Sequence, residues 1–147
     1  HFRSIAPHFY FILFVPLVHR CLSFAKEKDF KQIFIDTAEK TYTERKLKTY
    51  RPFYSILSKL TEPKNLDRFI IQATACLTHN ALDEISKIQC PTFVIGGDND
   101  KIVGSSSSCE LANHIAQSKL KIYNGLGHST YEEAKDFNSQ VLSFFNN

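Results

Sequence analysis

Asp100 and His128 are the residues of this chain whose setting suits proton transfer. Each follows a short strand-like run and two glycines, which is the pattern that presents a polar side chain at the rim of a sheet. A carboxylate that can orient an imidazole, and an imidazole that can take a proton from a hydroxyl, are the acid and general base of nucleophilic catalysis. The other histidines, at positions 1, 8, 19, 79 and 114, have no comparable surroundings.

The elements that must position the pair read directly from the pattern. Pro91 opens Thr92-Phe93-Val94-Ile95, β-branched and aromatic without alternation, as expected of a strand buried on both faces of a parallel sheet. Gly96 and Gly97 follow, and a tight turn or positive φ there would deliver Asp98, Asn99 and Asp100 to the carboxyl end of the strand, where ligands collect in open parallel sheets. Leu120 to Tyr123 form a second short strand, and Gly125-Leu126-Gly127 turns the chain into His128. Read alone, an aspartate at a sheet edge is as often a turn former or a helix cap, and a histidine in a glycine-bounded loop an ordinary polar residue. The two together favour chemistry.

These two motifs resemble those of the α/β-hydrolase family. There the acid follows a late strand in a G-x-x-D-x-[IV]-V pattern, here Gly97-Asp98-Asn99-Asp100-Lys101-Ile102-Val103, and the histidine follows the last strand in G-x-G-H, here Gly125-Leu126-Gly127-His128. The resemblance implies that Asp100 is the triad acid and His128 the triad base, in the family's order of nucleophile, acid and histidine. It covers about Ala81 to Asn147. The G-x-S-x-G elbow that should carry the nucleophile occurs nowhere in the chain; Gly104 is followed by Ser105 to Ser108, after the acid and without the second glycine. Methionine is also absent, even at position 1. The expectation is therefore a C-terminal piece, with the nucleophile upstream.

The first half reads as helical. Phe30, Ile33, Phe34, Thr37 and Ala38 share one face of a helix over 28–42; a second spans Glu44 to Leu60, broken near Pro52; Glu62-Pro63-Lys64 turns; and Leu66, Phe69, Ile70, Ala73, Cys76 and Leu77 mark a third, with Asn65 as its cap. A last helix over 130–145 would turn Phe137, Val141, Leu142, Phe144 and Phe145 to the sheet, and Glu132 or Glu133 would bond within the histidine loop or cap that helix. The fold class expected is α/β: the C-terminal part of an α/β-hydrolase sheet preceded by an all-helical cap, with residues 1–82 as cap and 83–147 as core.

Several function classes fall away. Net charge is +3 and the basic cluster Lys40, Arg45, Lys46, Lys48 and Arg51 is interleaved with Glu39 and Glu44, a solvated helix face rather than a nucleic-acid surface. The apolar run 9–18 is shorter than a membrane span, is interrupted by Pro16 and precedes no small-residue cleavage site, so a buried or lid-lining helix is expected instead of a leader. Cys21, Cys76, Cys90 and Cys109 lack zinc-ligand spacing, Cys76 and Cys90 reading as small core residues, and a reduced, cytoplasmic setting is the simplest account. Asp98-Asn99-Asp100 fails as a calcium loop, because Val103 and Cys109 stand where glycine and glutamate are needed.

The function expected is hydrolysis of an ester or similar acyl group on a small-molecule substrate by a Ser-His-Asp mechanism. It needs no cofactor, and involves no nucleic acid and no membrane; oligomeric state is not written in the sequence. The alternative is a non-catalytic binding module, or an inactive hydrolase homologue. Phe9, Tyr10, Phe11, Phe14, Phe53 and Tyr54 suggest an apolar acyl or alkyl group, or equally a filling between cap and sheet.

Overall fold

The computed structural model describes residues 15–146. The sequence reading of 9–14, including Phe9, Tyr10, Phe11 and Phe14, lies outside the described residues. Helices come first: α1 (Val15–Lys26), α2 (Phe30–Thr41), α3 (Glu44–Tyr50), a 3-10 turn (Arg51–Phe53), α4 (Tyr54–Thr61), α5 (Asp67–Thr78) and the short α6 (Leu82–Ile85). Then β1 (Thr92–Gly97), α7 (Ser105–His114), β2 (Ser118–Tyr123), α8 (Thr130–Glu133) and α9 (Phe137–Phe145) follow.

The helical half is held by two apolar clusters. Leu17, Cys21 and Ala25 lie one turn apart on α1 and bury against Ile33 of α2, with Phe69 and Ile70 of α5 packed alongside. Ala38, Leu47 and Tyr54 form the second, where Phe34 meets Tyr54 edge-on at 5.8 Å. Thr37, expected on the inner face, is exposed, and Asp36 is buried in its place. Ion pairs to Arg20 at 2.9 Å and Lys40 at 2.7 Å accompany that carboxylate inward.

Local signals set the helix ends. Asp29 accepts from the Gln32 amide at 3.0 Å to cap α2, and Thr43 caps α3 by accepting from Lys46. Pro52 converts the middle of the expected second helix into the 3-10 turn, since its ring removes a helical donor. Asn65 accepts from Asp67 at 3.3 Å, but Leu66 occupies the cap position of α5, so the helix begins one residue later than an Asn65 cap would place it. The basic cluster is a solvated face: Arg51 spans Glu39 at 2.7 Å and Glu44 at 2.5 Å.

β1 and β2 pair in parallel, Thr92 opposite Ser118 through Gly97 opposite Tyr123, and α7 packs on both strands as the crossover. Gly96 and Gly97 do not make the turn expected of them: both lie within β1, and neither has positive φ. Their reason is close approach. A Cβ on Gly96 would lie 2.9 Å from the Ser108 Cβ, and one on Gly97 only 2.7 Å from the Leu126 carbonyl carbon.

Two further expectations change. The last helix is split, with Ala134 to Asp136 between α8 and α9, and only part of its apolar face is covered. Phe144 stacks on Phe93 at 5.1 Å, whereas Leu142 is 61% and Phe145 76% exposed. Cys90 is exposed rather than a core residue, while Cys21 is the buried cysteine. Among the described residues, β1 has a strand partner on one edge only.

Candidate active site

The acid and histidine loops are zipped together beyond the ends of β1 and β2. The Asp98 amide donates to the Tyr123 carbonyl at 3.1 Å, continuing the ladder by one step, and the Asn99 amide donates to Leu126 at 3.0 Å. In return the Asp98 carboxylate accepts from the Gly125 amide at 2.6 Å. Gly125 takes φ +73°, a left-handed conformation costly for other residues, and turns the chain back toward Asp100.

Asp100 is held from both sides. Its Oδ1 accepts from the amides of Ile102 at 2.8 Å and Val103 at 3.1 Å, and the Ile102 side chain is anchored in the α1–α2 core, with Val103 against it. Its Oδ2 lies 2.9 Å from His128 Nδ1. The carboxylate is 8% exposed and the imidazole 43%. Burial alone would raise the Asp100 pKa, but the His128 contact and the two amides outweigh it and hold the group below its ordinary value. An ionised carboxylate only accepts, so Nδ1 carries the proton of the neutral ring and Nε2 is left as the basic nitrogen.

His128 also lines a groove of about 690 Å³ that runs past Phe93 and Ile95 to Val141 and Phe144, beside the edge of β1 without a strand partner among the described residues. Among the described residues, no three His, Cys, Asp or Glu side chains gather as a metal site.

Glu132 and Glu133 do not bond as the sequence suggested. Glu132 accepts from the Tyr42 hydroxyl at 3.0 Å, and burial together with that bond raises the tyrosine pKa. The Glu133 side chain is fully buried, accepts from the Thr43 amide at 3.0 Å and bonds the Thr43 hydroxyl. Both contacts cross 90 residues of chain, and no local pattern announces them.

A parallel β1–α7–β2 unit with a carboxylate and an imidazole joined across adjacent strand ends, preceded by a run of helices, fits the α/β-hydrolase pattern seen in the sequence. The family model described as serine aminopeptidase, S33, matches residues 59–135, more than half of the chain, and the chain belongs to that family. It is similar to a 2-hydroxy-6-oxononadienedioate/2-hydroxy-6-oxononatrienedioate hydrolase of Pseudomonas putida, 32% identical over 89 residues, which are 58% of this chain and 31% of that protein. A non-heme haloperoxidase of Rhodococcus erythropolis is 36% identical over 64 residues, 42% of this chain and 23% of that protein. Among solved structures, an α/β-hydrolase enzyme from a Medee basin deep-sea metagenome library superimposes with a TM-score of 0.79 at 22% identity, covering 90% of this chain and 50% of the other. The esterase of Exiguobacterium antarcticum gives 0.76 at 18%, covering 90% and 48%. The chain thus spans about a third or less of these curated relatives and about half of the solved structures.

Proposed function

We propose that this chain supplies the acid and the base of a serine-type hydrolase acting on a small carbonyl substrate, an ester or related acyl compound. The observation that carries the reading is the 2.9 Å contact of His128 Nδ1 with an Asp100 carboxylate whose other oxygen is already fixed by two amides. Such an acid cannot swing away, so it holds one tautomer and stabilises the imidazolium as it forms. The hydrolase and esterase relatives add support for the reaction type.

In this mechanism Nε2 of His128 takes the proton of a serine hydroxyl as its oxygen bonds to the substrate carbonyl carbon. The imidazolium then protonates the leaving group as the acyl–oxygen bond breaks, and a water repeats the sequence to free the acid. The serine lies outside these 147 residues, which hold no G-x-S-x-G pattern. The groove beside His128, at the edge of β1 that has no strand partner among the described residues, is the side where that part of the protein would dock. Residues 1–82 act as the cap and 83–147 as core, and Cys21, Cys90 and Cys109, thiols outside any disulfide, suit a cytoplasmic setting.

The test is ester turnover by the full-length protein carrying Asp100→Asn or His128→Ala. Losses on the order of 10⁴-fold in kcat are expected for the aspartate change, with the melting transition retained. Near-normal turnover in either variant would sink the assignment.

A further inference from the structure

We infer that Glu133 is a positioning residue: by gripping Thr43 it fixes the chain just after His128 against the α2–α3 junction, and so sets where the imidazole stands relative to Asp100. The inference rests on the reading of His128 as the base.

The histidine lies between two anchorages of different origin. Upstream of it, Gly125 and Leu126 are tied to the acid loop. Downstream, the ties run to the helical half: the buried Ser129 donates its amide to the Thr41 carbonyl at 3.3 Å, and Glu133 takes the amide and hydroxyl of Thr43. A Cβ on Gly127 would come within 2.8 Å of that same Thr41 carbonyl oxygen, so the two backbones meet here without room to spare.

Helix α8, four residues long, is too short to hold itself, and its cap residue Ser129 makes no side-chain bond to it. The carboxylate of Glu133 is what joins that turn to α3. Its charge, fully buried and 4.0 Å from the Arg45 guanidinium, is satisfied by Thr43, so removing it leaves the half-buried Thr43 amide and hydroxyl without this partner. Thr43 has a second duty as the cap of α3, which makes one residue common to the helical half and the histidine loop. Tyr42, bonded to Glu132, doubles the link.

The test reads the ring directly. In the full-length protein labelled with ¹⁵N-histidine, His128 is assigned by the signals lost in His128→Asn, and its two ring nitrogens report the tautomer at a pH where the ring is neutral. The wild type is expected to show the Nδ1–H form alone. Glu133→Ala should give a tautomer mixture and lower kcat by about 10²-fold, the cost of misplacing a catalytic group by about 1 Å; Glu133→Gln, which keeps both bonds by accepting from the Thr43 amide and donating its own amide to the Thr43 hydroxyl, should restore the single tautomer. A folded Glu133→Ala protein with an unchanged His128 spectrum overturns the inference. If that variant does not fold, Thr43→Val decides by the same reading, since it removes the hydroxyl but keeps the amide. A wild type without the Nδ1–H form refutes the Asp100–His128 relay itself, and this inference with it; a normal wild-type spectrum with failure confined to the variants refutes only the role of Glu133.

Discussion

Replacing Gly97 by alanine puts one methyl group where the acid and histidine loops leave no space for it. The added Cβ would lie 2.7 Å from the Leu126 carbonyl carbon, against an ordinary contact of 3.4–4 Å, and nearer still to the carbonyl oxygens of Leu126 and Gly127. These are backbone atoms, which cannot rotate aside as a side chain does. The histidine loop must therefore recede by about 1 Å. Overpacking of this kind costs about 1–3 kcal/mol, and a catalytic group displaced by about 1 Å loses on the order of 10²-fold in rate. Gly125→Ala is the control on the same loop. Its Cβ meets nothing within 4 Å, and only its φ of +73° is strained, at about 1–2 kcal/mol. Thermal melts and ester turnover of the full-length variants would separate the two: both lower Tm, but Gly97→Ala loses far more activity per degree. Equal losses per degree, or a Gly97→Ala protein with normal turnover, would refute the steric argument.

Other consequences follow from the same contacts. Because the Asp100 pKa is lowered in the fold, its share of stability is complete above the ordinary carboxylate value and disappears as pH falls through the depressed one. Acid unfolding of Asp100→Asn should accordingly lose part of its pH dependence below about pH 4, measured by circular dichroism; a curve parallel to the wild type would contradict the ionised relay. Arg51→Ala, in a cluster whose three members Arg51, Glu39 and Glu44 are 41%, 34% and 60% exposed, should leave the thermal melting temperature close to that of the wild type, because solvent screens exposed ion pairs. The Tyr54 phenol, its pKa pushed up to about 12 by burial and then by its bond to Glu39, should stay un-ionised in a spectrophotometric titration past the ordinary tyrosine range.

The parts of the site legible in the sequence are those with local causes. Asp100 and His128 are announced by glycines next to short strands, and α5 by apolar residues three and four apart, because strand ends and helix faces are decided within a few residues. The reason for Gly97 was not legible: a glycine needed for positive φ and one needed for close approach look alike in sequence, and the atoms it must avoid belong to Leu126 and Gly127. Glu133 is a stronger case. A glutamate near a helix start reads as a favourable charge, yet its partner is Thr43, 90 residues away. The exposure of Leu142 and Phe145 escaped for a related reason, since periodicity says that a face is apolar without saying what covers it.

Labelling with a fluorophosphonate, which reacts with a serine hydroxyl made nucleophilic by a neighbouring base, tests the relay most directly. In the full-length protein one phosphonylated serine is expected within a G-x-S-x-G peptide, with labelling slowed about 10²–10⁴-fold by His128→Ala, as befits loss of a general base. An unlabelled protein, or a labelling rate indifferent to His128, would contradict it.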